Sequence, residues 1–181
     1  MNTKTIILDR DGVINHDSEH FIKSPAEWLE ITGSARAIAK LTKAGYQIAI
    51  ATNQSGLARG LFTLETLEAI HYKLREAVIY AGGEIELITF CPHHPQDHCG
   101  CRKPHTGLLQ IIQKKLGLNP DTSWMVGDTA TDILAAQRMG IRGALVTTGK
   151  SLQTLDSNLV SRETTPVFAS LEAFSDWLVE P

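Results

Sequence analysis

The chain predicts an α/β fold, a mostly parallel sheet with helices on both faces, and three observations carry that prediction. Short apolar runs of strand length alternate with longer segments whose apolar residues recur at helical spacing, the pattern of right-handed βαβ units. Three of the apolar runs end in turn-forming or acidic residues: Ile6-Ile7-Leu8 in Asp9-Arg10-Asp11-Gly12, Ile48-Ala49-Ile50-Ala51 in Thr52-Asn53-Gln54-Ser55-Gly56, and Trp124-Met125-Val126 in Gly127-Asp128. Finally, 181 residues with 43% hydrophobic content suffice for one compact domain and hardly for two. A single domain over residues 1–181 is expected.

In chain order, strands are predicted near 5–9, 46–52, 86–90, 123–127, 143–147 and 166–169. Helices are predicted near 34–44, 63–81, 105–117, 129–140 and 171–179. Ala35, Ile38, Ala39, Leu41 and Thr42 repeat at helical spacing, and Gly45 stands where a helix needs its C′ residue. Leu64, Leu67, Leu74 and Val78 make the same case for the second helix. Both stripes are core positions. A short excursion over 15–28 precedes the first helix, and the polar stretch 156–165 is predicted as a surface loop. No internal repeat, low-complexity tract or linker interrupts this order.

The charge balance narrows the partners. A net charge of -3 and a pI near 6.1 leave no basic stripe for nucleic acid. No basic patch lies next to an amphipathic helix to suggest a membrane surface. Met1-Asn2-Thr3-Lys4 leads straight into the first strand without an apolar export segment, and no apolar run approaches the ~20 residues that span a bilayer. A cytoplasmic protein acting as a monomer on a small molecule is expected.

The strand ends carry the candidate chemistry. Open α/β sheets bind ligands at the carboxyl ends of their strands. An Asp there can act as a nucleophile that forms an acyl phosphate, and a second carboxylate as acid and base. Asp9 and Asp11 fit those two roles, although a helix cap or an Asx-turn would use the same residues. The hydroxyl and amides of Thr52 to Gly56 can hydrogen-bond phosphate oxygens. Arg102 and Lys103 offer two cations, and Asp128 or Asp132 can complete a magnesium site. Singly each is weak, since a Thr after a strand is usually a solvated turn and Arg-Lys a surface pair.

All three cysteines fall within eleven residues and spell, with His93, Cys91-x-His93-x5-Cys99-x-Cys101. Zinc takes four such ligands tetrahedrally, and a closed Cys₃His set leaves no open position for water, which makes the site structural. An odd cysteine count without an export signal argues against a disulfide framework, and the polar Pro-Gln-Asp-His surroundings argue against burial as plain apolar residues. His94 and His98 lie near enough to replace His93. The loop directly precedes Arg102 and Lys103, so tying it with a metal fixes where both cations point. A misplacement of ~1 Å can cost on the order of 10²-fold in rate.

Taken together, Asp9-x-Asp11, Thr52, Lys103 and Gly127-Asp128-x3-Asp132 resemble the four motifs of the haloacid dehalogenase superfamily of phosphohydrolases, in order, over residues 5–148. The resemblance implies a Rossmann-like sheet, Asp9 as nucleophile, Asp11 as acid and base, and Thr52 and Lys103 stabilising the transferring group. It further implies Mg²⁺ held by Asp9, the Asp11 backbone carbonyl and Asp128. Asp132 stays open between reaching magnesium through water, holding Lys103, and standing as a solvated charge. With room for no inserted domain around the first two motifs, the cap is minimal and the site open.

The runs Asp9-Arg10-Asp11-Gly12-Val13-Ile14-Asn15, Thr52 to Gly60, and Cys91-Pro92-His93-His94-Pro95 with Cys99-x-Cys101-Arg102-Lys103-Pro104 resemble the heptose bisphosphate phosphatase family. That resemblance implies removal of the C7 phosphate of a heptose 1,7-bisphosphate while the anomeric phosphate stays, a step toward nucleotide-activated heptose for lipopolysaccharide core. It implies that Asp17, Ser18, Glu19, His20, Thr52, Asn53, Gln54, Ser55, Arg102 and Lys103 contact the substrate, with Arg102 reading its identity. Histidinol-phosphate phosphatases share the motifs and the zinc loop. A phosphotransferase or mutase, and a zinc-based adaptor, are more distant alternatives.

Overall fold

The computed structural model describes residues 4–151, 154, 160, 161 and 163–180. Six strands, β1 (Thr5–Leu8), β2 (Gln47–Asn53), β3 (Leu87–Cys91), β4 (Trp124–Gly127), β5 (Arg142–Val146) and β6 (Val167–Phe168), form one sheet in the order β3-β2-β1-β4-β5-β6. Every pairing is parallel. The helices are α1 (Ser34–Lys43), α2 (Leu64–Tyr80), α3 (Gly107–Leu116), α4 (Ala130–Met139) and α5 (Leu171–Val179).

The two-residue period of a strand sorts its side chains between two cores. Ile6, Leu8, Ile48, Ile50, Trp124 and Val126 face α1, α2 and α5, packing with Ile38, Leu41, Ile70, Leu74 and Phe174. Ile7, Ala49, Ala51 and Met125, one residue out of phase, face α3 and α4, packing with Leu108, Leu109, Ile112, Ala135 and Ala136. Strands buried on both sides read as continuous apolar runs, which is why the runs rather than an alternation were visible in the sequence.

Element bounds follow local chemistry. Helix α1 closes on Gly45, whose φ of 85° lies in the left-handed region the C′ position needs. Helix α2 opens on Thr63, whose hydroxyl accepts from the Thr66 amide at 3.3 Å. Strand β1 stops at Leu8, one residue before its expected end, and β2 extends through Asn53, which pairs with Cys91. A single turn of 3₁₀ helix at Pro95–Asp97 was not foreseen. Met1 to Thr3 lie outside the described residues, as does half of the predicted loop over 156–165.

Between β1 and α1 the chain runs as an irregular excursion whose Val13, Ile14, Ile22 and Trp28 are buried in the larger core. Only α2 separates β2 from β3. No cap domain is therefore inserted at either place. The strand order reverses beside β1, and the loops leaving β1, β2 and β4 there build the cleft described next. Among the described residues no helix is long and apolar enough to cross a membrane.

Candidate active site and cysteine–histidine cluster

Asp9 follows β1 directly and stays in register, its amide donating to Val126 O at 2.9 Å. Its Oδ1 accepts from the Arg10 amide at 2.7 Å and lies 3.0 Å from Lys103 Nζ. Lys103 is 2% exposed, and its ammonium also meets Asp132 Oδ1 at 2.7 Å and donates to Ala51 O at 2.6 Å. Asn53 clamps the lysine backbone from both sides, accepting from its amide at 3.0 Å and donating to its carbonyl at 3.1 Å. Asp132 is fixed in turn by the capping box of α4, where its Oδ2 accepts from the amide and hydroxyl of Thr129 at 3.1 and 2.8 Å. The solvated-charge alternative for Asp132 is thereby excluded, since it is fully buried.

Asp128 ends the fourth strand and is walled in by backbone. Its Oδ2 accepts from the Lys150 amide at 2.7 Å, and a Cβ placed on Gly12 or Gly149 would collide with that same oxygen. Gly12, at φ 79°, needs the glycine for its conformation as well. Asp9, Asp128 and Asp132 bring carboxylate oxygens within 4.8 Å of one another. Burial, together with Asp132, Asp128 and Asp11, pushes Asp9 up to about 8 against the pull of Lys103. Burial and Asp132 raise Asp128 to about 6. Burial opposes the charge of Lys103, yet Asp132 and Asp9 more than compensate and raise its pKa. Crowded hard oxygen donors, with the ionisation of Asp9 and Asp128 opposed by their neighbours, are the donor set that a hard divalent cation such as magnesium relieves.

The Asp11 side chain is not in that group of three. It turns toward Arg10, which is fully buried and reaches Oδ1 from Nε and Nη2 at 3.1 and 2.9 Å and Oδ2 from Nη2 at 3.0 Å. Asn15 Nδ2 donates to Oδ1 at 2.8 Å and Gln54 Nε2 to Oδ2 at 2.9 Å. Burial works against its charge, but Arg10, Asn15 and Gln54 together hold the carboxyl below its ordinary range. Gln54 Nε2 also donates to Thr52 Oγ1 at 2.9 Å, joining the first two motifs through one amide. Behind Arg10, Nη1 lies 3.4 Å from His71 Nε2 on α2. Burial and Arg10 push that imidazole down to about 3, so at neutral pH it is uncharged.

A cleft of about 530 Å³ opens over these groups. Asp17, Ser18, Glu19, Asn53, Ser55 and Arg102 line it, as predicted. Arg102 Nη1 is buried in its wall without a hydrogen-bond partner. His20 is exposed and lies beside these lining residues rather than among them, its amide donating to Ser18 Oγ at 3.1 Å. Sequence reasoning missed Lys150, whose Nζ lies 2.7 Å from Asp17 Oδ2 across the mouth, and the buried Arg10 and Asn15 that hold Asp11. The available signals were a Gly-Lys pair just beyond the fifth strand and an arginine set between two motif aspartates.

On the adjoining wall, Cys91, His93, Cys99 and Cys101 converge. Cys91 Sγ lies 3.2 Å from Cys101 Sγ and 3.6 Å from Cys99 Sγ, and His93 Nδ1 lies 3.2 Å from Cys101 Sγ. These sulfur separations are far beyond a disulfide bond of about 2.05 Å. They match four donors arranged around one point at the ~2.3 Å radius of a zinc thiolate. His94 is engaged elsewhere, its Nδ1 accepting from the Gln96 amide at 3.2 Å to cap the 3₁₀ turn, and His98 lines the cleft. His93 is thus the histidine in the cluster.

Comparison with known proteins agrees with this geometry. A family model described as HAD-hydrolase-like matches residues 100–174. D-glycero-beta-D-manno-heptose-1,7-bisphosphate 7-phosphatase of Pseudomonas putida is 47% identical over 97% of this chain and 99% of its own length. The enzyme of the same name from Pseudomonas aeruginosa is 46% identical over 99% of this chain and all of its own. Among solved structures, D,D-heptose 1,7-bisphosphate phosphatase from B. bronchiseptica, complexed with magnesium and phosphate, superposes with a TM-score of 0.94. It is 44% identical and covers 98% of this chain and 99% of its own.

Proposed function

The chain belongs to the D-glycero-β-D-manno-heptose-1,7-bisphosphate 7-phosphatase family of haloacid dehalogenase-like hydrolases, and from that membership and the cleft we propose that it removes the C7 phosphate of heptose 1,7-bisphosphate. Residues 1–181 then form one phosphatase domain. The product, heptose 1-phosphate, keeps the anomeric phosphate that nucleotide activation for lipopolysaccharide core requires. The observation that carries the reading is Lys103, a buried cation held against Asp9 at the foot of a cleft wide enough for a phosphorylated sugar.

In the proposed reaction Asp9 attacks phosphorus in line and becomes an aspartyl phosphate. Lys103 and Thr52 face the equatorial oxygens on which charge develops. Magnesium, held by Asp9, Asp128 and the Asp11 carbonyl, neutralises phosphate charge when bound. Asp132 acts through Lys103, fixing the ammonium. Asp11 passes a proton to the departing sugar oxygen and later takes one from water; the hydrogen bonds from Arg10, Asn15 and Gln54 orient it and suit its charged, proton-accepting state.

The Cys91, His93, Cys99 and Cys101 cluster fits a structural zinc, which would fix the loop that delivers Arg102 and Lys103. Arg102, with Asp17, Ser18, Glu19, Asn53, Gln54 and Ser55, contacts the sugar and its second phosphate. Reduced cysteines and a polar metabolite accord with a cytoplasmic enzyme. A cleft built from one chain accords with a monomer.

The test is phosphate release measured in parallel from both anomers of heptose 1,7-bisphosphate and from histidinol phosphate, with ³¹P NMR to show which phosphate leaves. The expected result is loss of the C7 phosphate and a clear preference for the heptose. Preferred hydrolysis of histidinol phosphate would overturn the substrate and leave the phosphatase standing.

A further inference from the structure

Three cationic side chains of lysine or arginine line the cleft among the described residues: Lys103, Arg102 and Lys150. Lys103 is enclosed, its ammonium shared among Asp9, Asp132 and Ala51 O. Lys150 differs in every respect. Its side chain is half exposed and reaches from the loop after β5 to the excursion after β1, where Nζ meets Asp17 Oδ2 at 2.7 Å. The other oxygen of Asp17 already accepts from the Ser18 amide at 2.8 Å.

The Lys150 main chain is fixed independently of its side chain. Its amide donates to Asp128 Oδ2, the neighbouring Gly149 packs against the same carboxylate, and Thr148 Oγ1 donates to Gly12 O at 2.6 Å. A firmly anchored backbone thus presents a mobile cation at the mouth. Its ion pair with Asp17 is of the half-exposed kind that contributes little and exchanges readily. The cleft walls also carry Asp17 and Glu19, whose carboxylates repel a substrate with two dianionic phosphates. One phosphate is met by Lys103 at the foot of the cleft. Charge balance for the other must come from the outer cations.

We propose that Lys150 is a specificity-determining residue that exchanges its Asp17 partner for the non-reacting phosphate of the substrate, acting beside Arg102. This rests on the bisphosphatase reading and adds to it a second outer cation drawn from a distant part of the chain.

The experiment compares heptose 1,7-bisphosphate with heptose 7-phosphate in the full-length protein, Lys150→Met and Lys150→Arg. Because every variant keeps the backbone amide on Asp128, the metal side of the cleft is undisturbed. For Lys150→Met, the ratio of kcat/KM on the bisphosphate to that on the monophosphate is expected to fall about tenfold, mostly through KM. Lys150→Arg is expected to restore most of the ratio. Thermal melting of each variant checks that the fold is intact. Equal losses on both substrates would mean that Lys150 serves only to hold Asp17, and an unchanged kcat/KM on both would mean a solvated surface pair; either result overturns the proposal. Failure of the unaltered protein to hydrolyse the bisphosphate would instead overturn the function proposed above.

Discussion

The carboxylate–lysine cluster and the cysteine–histidine cluster occupy adjoining walls of one cleft but are held in opposite ways. Asp9, Asp128 and Lys103 are placed by strand ends and backbone: an amide on Val126 O, a glycine wall around Asp128, an Asn53 clamp on Lys103. Of the four cysteine and histidine donors only Cys91 lies on a strand, and the others sit on a loop whose single regular feature is one 3₁₀ turn. The sheet builds the first cluster whether or not a cation is bound. On the structural-zinc reading the second needs its metal to hold its shape. A rigid site and a metal-tied loop therefore fail differently, and that difference can be measured.

The largest effect is expected where the rigid cluster loses its nucleophile. Asp9→Asn is nearly isosteric and should remove turnover by at least ~10³-fold while circular dichroism stays unchanged. Substantial activity in pure Asp9→Asn protein would eliminate Asp9 from that role. Next, Asp11→Asn should slow hydrolysis of the sugar phosphate by about 10²–10⁴-fold. An activated aryl phosphate, whose leaving group needs no proton, should lose far less; the same loss on both would argue that Asp11 does something other than proton transfer.

The metal-tied loop should answer more gently. Cys101→Ser is expected to abolish zinc by elemental analysis, lower the melting temperature and reduce activity by about 10–100-fold even at saturating magnesium. Unchanged melting with full activity would sink the structural-zinc reading. The smallest effect at neutral pH belongs to His71. Its pKa, near 3 folded against 6.5 as the ordinary value, means the unfolded chain binds a proton that the folded one does not. Its contribution is therefore complete above pH 6.5 and is lost as pH falls toward 3, at up to about 1.4 kcal/mol per unit. His71→Gln should flatten that part of a stability–pH profile, and a profile identical to that of the unaltered chain would show that the imidazole is not the group responsible.

What the sequence made legible follows the same division. Asp9, Thr52 and Asp128 could be found because each stands at or near the end of an apolar run, where chain order and site geometry coincide, and Lys103 because it directly follows the clustered cysteines. Clustered cysteines announced the second site by spacing alone. The helices were found within a residue or two, because stripes such as Leu67, Leu74 and Val78 record burial directly, although Leu64, read as part of that core stripe, is exposed at the first turn of its helix. Contacts between distant segments were not legible. Lys150 meets Asp17 only once the sheet has brought the β5 loop beside the excursion, and Arg10 looks like a surface arginine until the fold buries it against Asp11 and His71.

Lys103 has a further consequence when regarded as an amine. Its ammonium lies against oxygens from three separate parts of the chain, pairing with Asp9 after β1 and Asp132 in α4 and donating to Ala51 O in β2. Held protonated by two carboxylates, it has no lone pair to offer an electrophile. It cannot capture a phosphoryl group from its neighbour. The innermost lysine is thereby kept as a fixed point of charge, while the half-exposed Lys150 at the rim is free to change partners.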